Sequence, residues 1–145
     1  CKRCKASAAA KYEGEFYNTL SDAASAACMY GGIINVLTDL SEEVYANSYS
    51  YHQNLTIDLN GKTLSAPEGG IPLTVFNGNI ELTNGKVQQV LSSSFANYAI
   101  EIRGGNLTKM YILRVHKQAR IKYILPFTWS PDRFRFLRVM FLYTE

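Results

Sequence analysis

The sequence predicts an all-β chain, a short parallel β-helix in which strands stack as a solenoid behind one N-terminal capping helix. Three observations lead there. A strand-and-turn phrase recurs as "NLTIDLNGKTLS" from Asn54, "NIELTNGKV" from Asn79 and "NLTK" from Asn106, at spacings of 25 and 27 residues. A second series runs between them: "LTVFNGN" at 73–79 is echoed by "IEIRGGN" at 100–106, with the final Asn again 27 residues on. Helical periodicity, by contrast, is confined to one alanine-rich segment near the N-terminus. A fixed period of strand-sized units is the mark of stacked repeats. The alternative is an antiparallel sandwich whose echoes are coincidental. Pairing between 54–59 and 79–83 separates the two, being parallel only in the solenoid.

Each element follows in order. "KYEG" and "EFYNTL" read as a hairpin turning at Glu13-Gly14. A helix is expected over 19–29, with Thr19 as N-cap and Asp22 three residues later as a short form of the capping box. Its apolar face comprises Leu20, Ala23, Ala24, Ala27 and Cys28, which makes Cys28 a small core residue. Gly31-Gly32 ends it. "IINVLTDL" reads as one buried strand and "SEEVYANSYSYHQ" as a short strand and a loop. In the repeats, Leu55, Ile57 and Leu59 should point inward and Thr56 and Asp58 outward, since side chains alternate along a strand. Stacking at about 4.8 Å should then place Leu55, Ile80 and Leu107 in one column. Asn54, Asn79 and Asn106 should form an amide ladder. Gly61, Gly78, Gly85 and Gly104-Gly105 should supply the bends, at positive φ.

Composition fits one domain. The chain has 145 residues, 47% of them hydrophobic and 19% charged, enough to bury a core. It contains no apolar run long enough for a membrane span. It starts at Cys1 without Met or a signal peptide, which reads as a fragment or a processed product. The net charge of +3 is unevenly distributed. Residues 1–108 hold 7 Lys/Arg against 10 Asp/Glu, and residues 109–145 hold 8 against 2. All ten glycines precede Lys109, while eight of the eighteen aromatics follow it. The chain therefore divides into a CxxC remnant or linker (1–11), the capped repeats (12–108) and a basic aromatic tail (109–145). The tail is either text from another reading frame or a cover for the last repeat, in which case Trp129 should be buried.

"GEFYNTLSDAASAA", "GGIINVLTDL" and "NLTIDLNGKTLS" together resemble the opening of pectin-lyase-like right-handed β-helix domains of large secreted bacterial surface proteins. The resemblance covers about residues 12–108, and its most specific stretch is Ile57 to Leu64. It implies an extracellular or cell-surface location, adhesion or contact with glycans, and a helix that shields the first coil. It also implies an alternative: the N-terminal part of a polysaccharide lyase or glycoside hydrolase whose catalytic coils lie elsewhere. The sequence departs from the pattern after Asn106, where Lys109 stands in place of an apolar residue.

The motifs point away from catalysis. No Walker loop, GxGxxG, GxSxG or HExxH is present, and nothing requires a cofactor. The resemblance implies that a calcium-dependent lyase of this type would hold calcium with clustered carboxylates and remove a proton with an Arg. Asp58 and Glu81, expected as neighbours on adjacent strands, with Glu101 and Arg103 on the next, are the candidate set. Solvated carboxylates on a strand face explain them as well. Cys1 and Cys4 form a CxxC, one edge of a zinc site that needs four ligands; two idle thiols or a remnant explain it equally. Tyr45, Tyr49 and Tyr51 with His52 form the candidate ligand-binding surface, a sugar-stacking platform, against the plainer reading that the rings cover the first repeat. Arg114, Lys117, Arg120 and Lys122 interleave with Tyr111 and Tyr123 in the tail, a pattern known from nucleic-acid and membrane surfaces. It leaves the glycine-rich repeats unexplained, so glycans rather than nucleic acid are the expected partners. The "NLT" sequons at Asn54 and Asn106 read as by-products of the repeat.

Overall fold

The computed structural model describes residues 7–50, 53–90, 98–108 and 120–123. They are mostly strands, with a single helix among them. In chain order the elements are β1 (Ala10–Tyr12), β2 (Glu15–Tyr17), α1 (Leu20–Ala27), β3 (Gly32–Val36), β4 (Leu40–Ser41) and β5 (Val44–Asn47). There follow β6 (Leu55–Asp58), β7 (Thr63–Ser65), β8 (Leu73–Asn77), β9 (Asn79–Thr83) and β10 (Lys86–Gln88). The last are β11 (Tyr98–Ile102), β12 (Asn106–Thr108) and β13 (Arg120–Tyr123).

From β3 to β12 the chain feeds three sheets in rotation. β3, β6, β9 and β12 pair in parallel in one sheet, β4, β7 and β10 in a second, and β5, β8 and β11 in a third, where β13 adds the outer strand. β6 and β9 run parallel, with Leu55 opposite Ile80 and Ile57 opposite Leu82. The antiparallel alternative fails at that pair. The echo between 73–79 and 100–106 is a pairing too, with Ile100 opposite Leu73 and Ile102 opposite Val75.

The reason is side-chain stacking. Leu55, Ile80 and Leu107 form one inward column and Ile34, Ile57 and Leu82 another. Val44, Leu73 and Ile100 line the third sheet, and Leu40, Leu64 and Val87 the second. Nearly all are fully buried, Leu40 being half-buried at its margin. Like side chains in register fill space without voids, as a close-packed interior requires. Thr56 and Asp58 face outward as the alternation predicts.

The N-terminal elements close one end. β1 and β2 form the expected hairpin, turning at Glu13 (φ 47) and Gly14 (φ 87), and β1 pairs antiparallel with β3. Two positive φ values in a two-residue loop match the twist of the flanking strands. The packed face of α1 is Leu20, Ala23, Ala24 and Ala27, so small side chains let the helix lie close on β5, β1 and β3. The Thr19 hydroxyl accepts from the Asp22 N–H at 3.0 Å. The Glu42 carboxylate accepts the Leu20 and Ser21 N–H groups at 2.9 and 3.2 Å, which adds a negative charge at the helix N-terminus.

Several expectations are corrected. The helix stops at Ala27 and Cys28 is its C-cap, half-buried and free rather than core. "IINVLTDL" is not one strand. β3 ends at Val36, and Leu40 begins β4 in a different sheet. Between them Asp39 accepts the Thr63 N–H at 2.7 Å, tying the corner to the next repeat. Gly61 (φ 76), Gly78 (φ 78) and Gly105 (φ 73) take positive φ as expected, and Asn60 (φ 49) shares the first of these bends. At 84–85, however, positive φ falls not to Gly85 but to Asn84 (φ 52), whose short polar side chain tolerates it. Gly85 serves a different need, because a Cβ there would collide with Leu59. The amide ladder is partial. Asn106 donates to Asn79 at 3.0 Å, while Asn54 donates to Glu81 at 3.1 Å. Trp129 lies outside the described residues, whereas Arg120–Tyr123 from the same basic segment form β13.

Candidate functional site

Outward positions of the third sheet carry the most distinctive surface. Val44 and Ala46 of β5 and Leu73 and Val75 of β8 point inward, so Tyr45, Thr74 and Phe76 point outward. On β11, Ile100 and Ile102 are inward and Glu101 is outward. Tyr45, Thr74 and Glu101 therefore occupy one transverse row. Thr74 and Glu101 are nonetheless each only 2% exposed. Larger side chains roof them over.

The roof is continuous. The Arg103 Nε donates to Glu101 Oε2 at 2.9 Å, and the same guanidinium lies over the Phe76 ring, 5.1 Å from its centroid. Phe76 in turn meets Tyr45, with ring centroids 5.8 Å apart and planes tilted by 41°. The Tyr45 hydroxyl donates to Glu43 Oε2 at 3.1 Å, and Glu43 Oε1 accepts the Ile71 N–H at 3.2 Å. The hydrogen bond to Glu43, reinforced by that carboxylate's charge and by some burial, raises the Tyr45 pKa above the ordinary phenol value. The phenol thus remains a neutral donor. Tyr45 is 51% exposed, Phe76 36% and the Arg103 side chain 49%, so two rings and a guanidinium are partly open to solvent. Rings of this kind offer π-faces and apolar area for stacking, and the guanidinium adds hydrogen-bond donors.

Only part of the tyrosine set expected from the sequence assembles here. Tyr45 is the heart of the platform. Tyr49 is exposed, but its N–H donates to the Cys28 carbonyl at 2.7 Å, anchoring it at the end of α1. Tyr51 and His52 lie outside the described residues, as do Cys1 and Cys4. Phe76 and Glu43 carry no motif in the sequence, and Arg103 is expected there only beside the carboxylates of a lyase. A signal existed for the pairing of Phe76 with Arg103: the 27-residue echo aligns them, which places one above the other.

The acidic set does not gather. Thr56, not Asp58, is opposite Glu81, and Asp58 is opposite Thr83. Glu81 accepts from Asn54 and from Thr56, the latter at 3.4 Å, and Asp58 caps its own turn by accepting the Asn60 N–H at 2.8 Å. Glu101 and Arg103 belong to the third sheet, away from both. Among the described residues no group of three or more His, Cys, Asp or Glu is placed to hold a metal ion, and no helix is long and apolar enough to cross a membrane. No family model matches the chain, and neither a curated protein nor a solved structure matches it.

Proposed function

We propose that residues 12–108 are the helix-capped opening coils of a right-handed parallel β-helix. In this reading the chain belongs to a secreted bacterial cell-surface protein that contacts glycans without turning them over. The rotation of successive strands through three parallel sheets supports the architecture, and right-handed crossovers between parallel strands are the near-universal rule. The observation that carries the function is the Tyr45–Phe76–Arg103 platform. Its two rings stand partly in solvent, Tyr45 51% and Phe76 36% exposed. Contacts on such a face are individually weak and gain strength by repetition along many coils.

A polysaccharide panel tests this. Binding should be detected near millimolar Kd, about −4 kcal/mol, and should be lost in Tyr45→Ala and in Phe76→Ala. No unsaturated products or new reducing ends should accumulate, with or without calcium. Sustained product formation that is abolished by Asp58→Ala or Glu81→Ala would instead identify a lyase or hydrolase.

A further inference from the structure

A second concave surface lies at the capped end, far from the platform in chain position and different in chemistry. In the β1–β2 hairpin Tyr12 is opposite Glu15 and Ala10 opposite Tyr17, so Tyr12, Glu15 and Tyr17 share one face. Lys11 and Phe16 are opposite each other on the other face, where the Lys11 ammonium lies 5.6 Å from the Phe16 ring centroid. The hairpin thus segregates its one lysine from its carboxylates.

The first face borders an open groove of about 560 Å³, lined also by Glu13 of the turn and by Ala26, Tyr30, Gly31 and Gln53. That volume lies within the usual range for small-molecule sites, about 300–1,000 Å³. The floor is tightly built. Tyr12 donates its hydroxyl to the Gly31 carbonyl at 2.8 Å. A Cβ at Gly31 (φ 70) would stand 2.6 Å from the Gln53 carbonyl oxygen, so only glycine lets these segments meet. Ala26, small and exposed, leaves room beside the helix.

Three features give this groove a negative character. Glu13 and Glu15 are exposed on the hairpin. The C-terminal end of α1, the negative end of the helix dipole, abuts the groove at Ala26 and Tyr30, and the last turn carries no basic residue. Among the described residues no lysine or arginine lines the space. Burial first, and then the nearby Glu13 charge, raise the Tyr12 pKa, consistent with a site that disfavours further negative charge. Tyr12, Tyr17 and Tyr30 add π-faces, which also attract cations. Two carboxylates and neutral phenols are a poor cage for a divalent metal, which prefers a larger set of oxygen ligands. They suit a larger, softer cation with an apolar body.

We propose that this groove binds a cationic amino sugar, a hexosamine whose nitrogen is not acetylated. Its ring lies against the tyrosines and its ammonium faces Glu13, Glu15 and the helix end. The proposal rests on the glycan-contact reading and narrows it to one ligand chemistry at a second site.

Titration calorimetry of the full chain with glucosamine oligomers and with N-acetylated oligomers of equal length tests it. The amine form should bind roughly tenfold more tightly, the sum expected from one screened charge contact and one exposed cation–π contact. The preference should shrink as salt is raised. Combined Glu13→Gln and Glu15→Gln should erase it, and Tyr30→Ala should weaken both sugars, with unchanged circular dichroism showing that the hairpin is intact. Equal affinity for the two forms, a preference untouched by the Gln variants, or tighter binding of an oligolysine peptide of equal charge would overturn the proposal. If neutral glycans still bind in a way that Tyr45→Ala abolishes, the groove fails and the platform reading survives. If no saccharide binds at all, both fail.

Discussion

The outward faces of two sheets rest on the same kind of stacked apolar column, yet they are finished differently. On β6 and β9 the outward residues are Thr56, Asp58, Glu81 and Thr83. These polar groups stay half-buried and bond to near neighbours: Glu81 to Asn54 and Thr56, Asp58 to the Asn60 N–H. On β5, β8 and β11 the outward row Tyr45–Thr74–Glu101 is covered, so that a carboxylate lies almost fully buried beneath an arginine and two rings. In-register stacking dictates what lies inside. The outer surface is free to vary: the first face leaves the single aliphatic Ile33 of β3 in water, 55% exposed, whereas the second leaves two adjoining rings. Exposed rings with fixed geometry are a means of recognition; a hydrogen-bonded polar face is mainly a means of solubility.

The largest effect should come from the shared interior. Ile57 is fully buried between Ile34 and Leu82, and Ile57→Ala should cost about 2–5 kcal/mol. Urea denaturation should show this loss, and the Tyr45–Phe76 contact should weaken with it, because both faces depend on one core. Local damage confined to β6 would break that link.

Next comes the contrast between the two carboxylates. Arg103→Ala strips the roof from Glu101, leaving a buried charge with a lost charge-assisted bond. We expect a cost of about 1.5–3 kcal/mol, discounted toward the lower end because the Arg103 side chain is 49% exposed. Glu81→Ala, on the polar face, removes two hydrogen bonds to partners that water can satisfy, and should cost at most about 1 kcal/mol. Equal costs in thermal or denaturant melts would erase the distinction drawn between the faces.

Smaller still is the pH response of the platform. Since the folded-state pKa of Tyr45 is raised, the protonated phenol is the form that folding favours. Its contribution is complete below the ordinary phenol pKa and is lost as pH rises through the higher folded value. Ultraviolet titration should therefore show Tyr45 ionising late, as Tyr12 does, and Glu43→Gln should return Tyr45 alone toward the ordinary value. The Asn79–Asn106 amide pair on the polar face should contribute least. Asn106→Ala should cost about 0.5–1 kcal/mol and leave Tyr45 ionisation unchanged.

Parts of this arrangement were legible in the sequence, and the particular residues show why. Leu55, Ile57 and Leu59 alternate with polar neighbours, and alternation alone assigns their direction. Thr19 and Asp22 mark the start of the helix because the bond between them is local. The 27-residue echo contained the contact of Phe76 with Arg103. The split of "IINVLTDL" at Val36 was not legible, since an apolar run of that length carries no mark of where the chain changes sheets. Cys28 was misread because helical periodicity continues past the point where Tyr30 and Gly31 turn back to the Ala27 carbonyl.

By itself the sequence determined the period, the inward and outward sets, the hairpin and the capping helix. Each depends on residues a few positions apart or on one phrase repeated. Only the tertiary structure decided which charges meet. Glu42 reaches the start of α1 across 21 and 22 residues, Glu43 reaches Ile71 across 28, and Glu101 becomes buried beneath side chains from other strands. Local propensity says nothing about such contacts, because a long flexible side chain takes its partner from whatever the stacked backbone brings within reach.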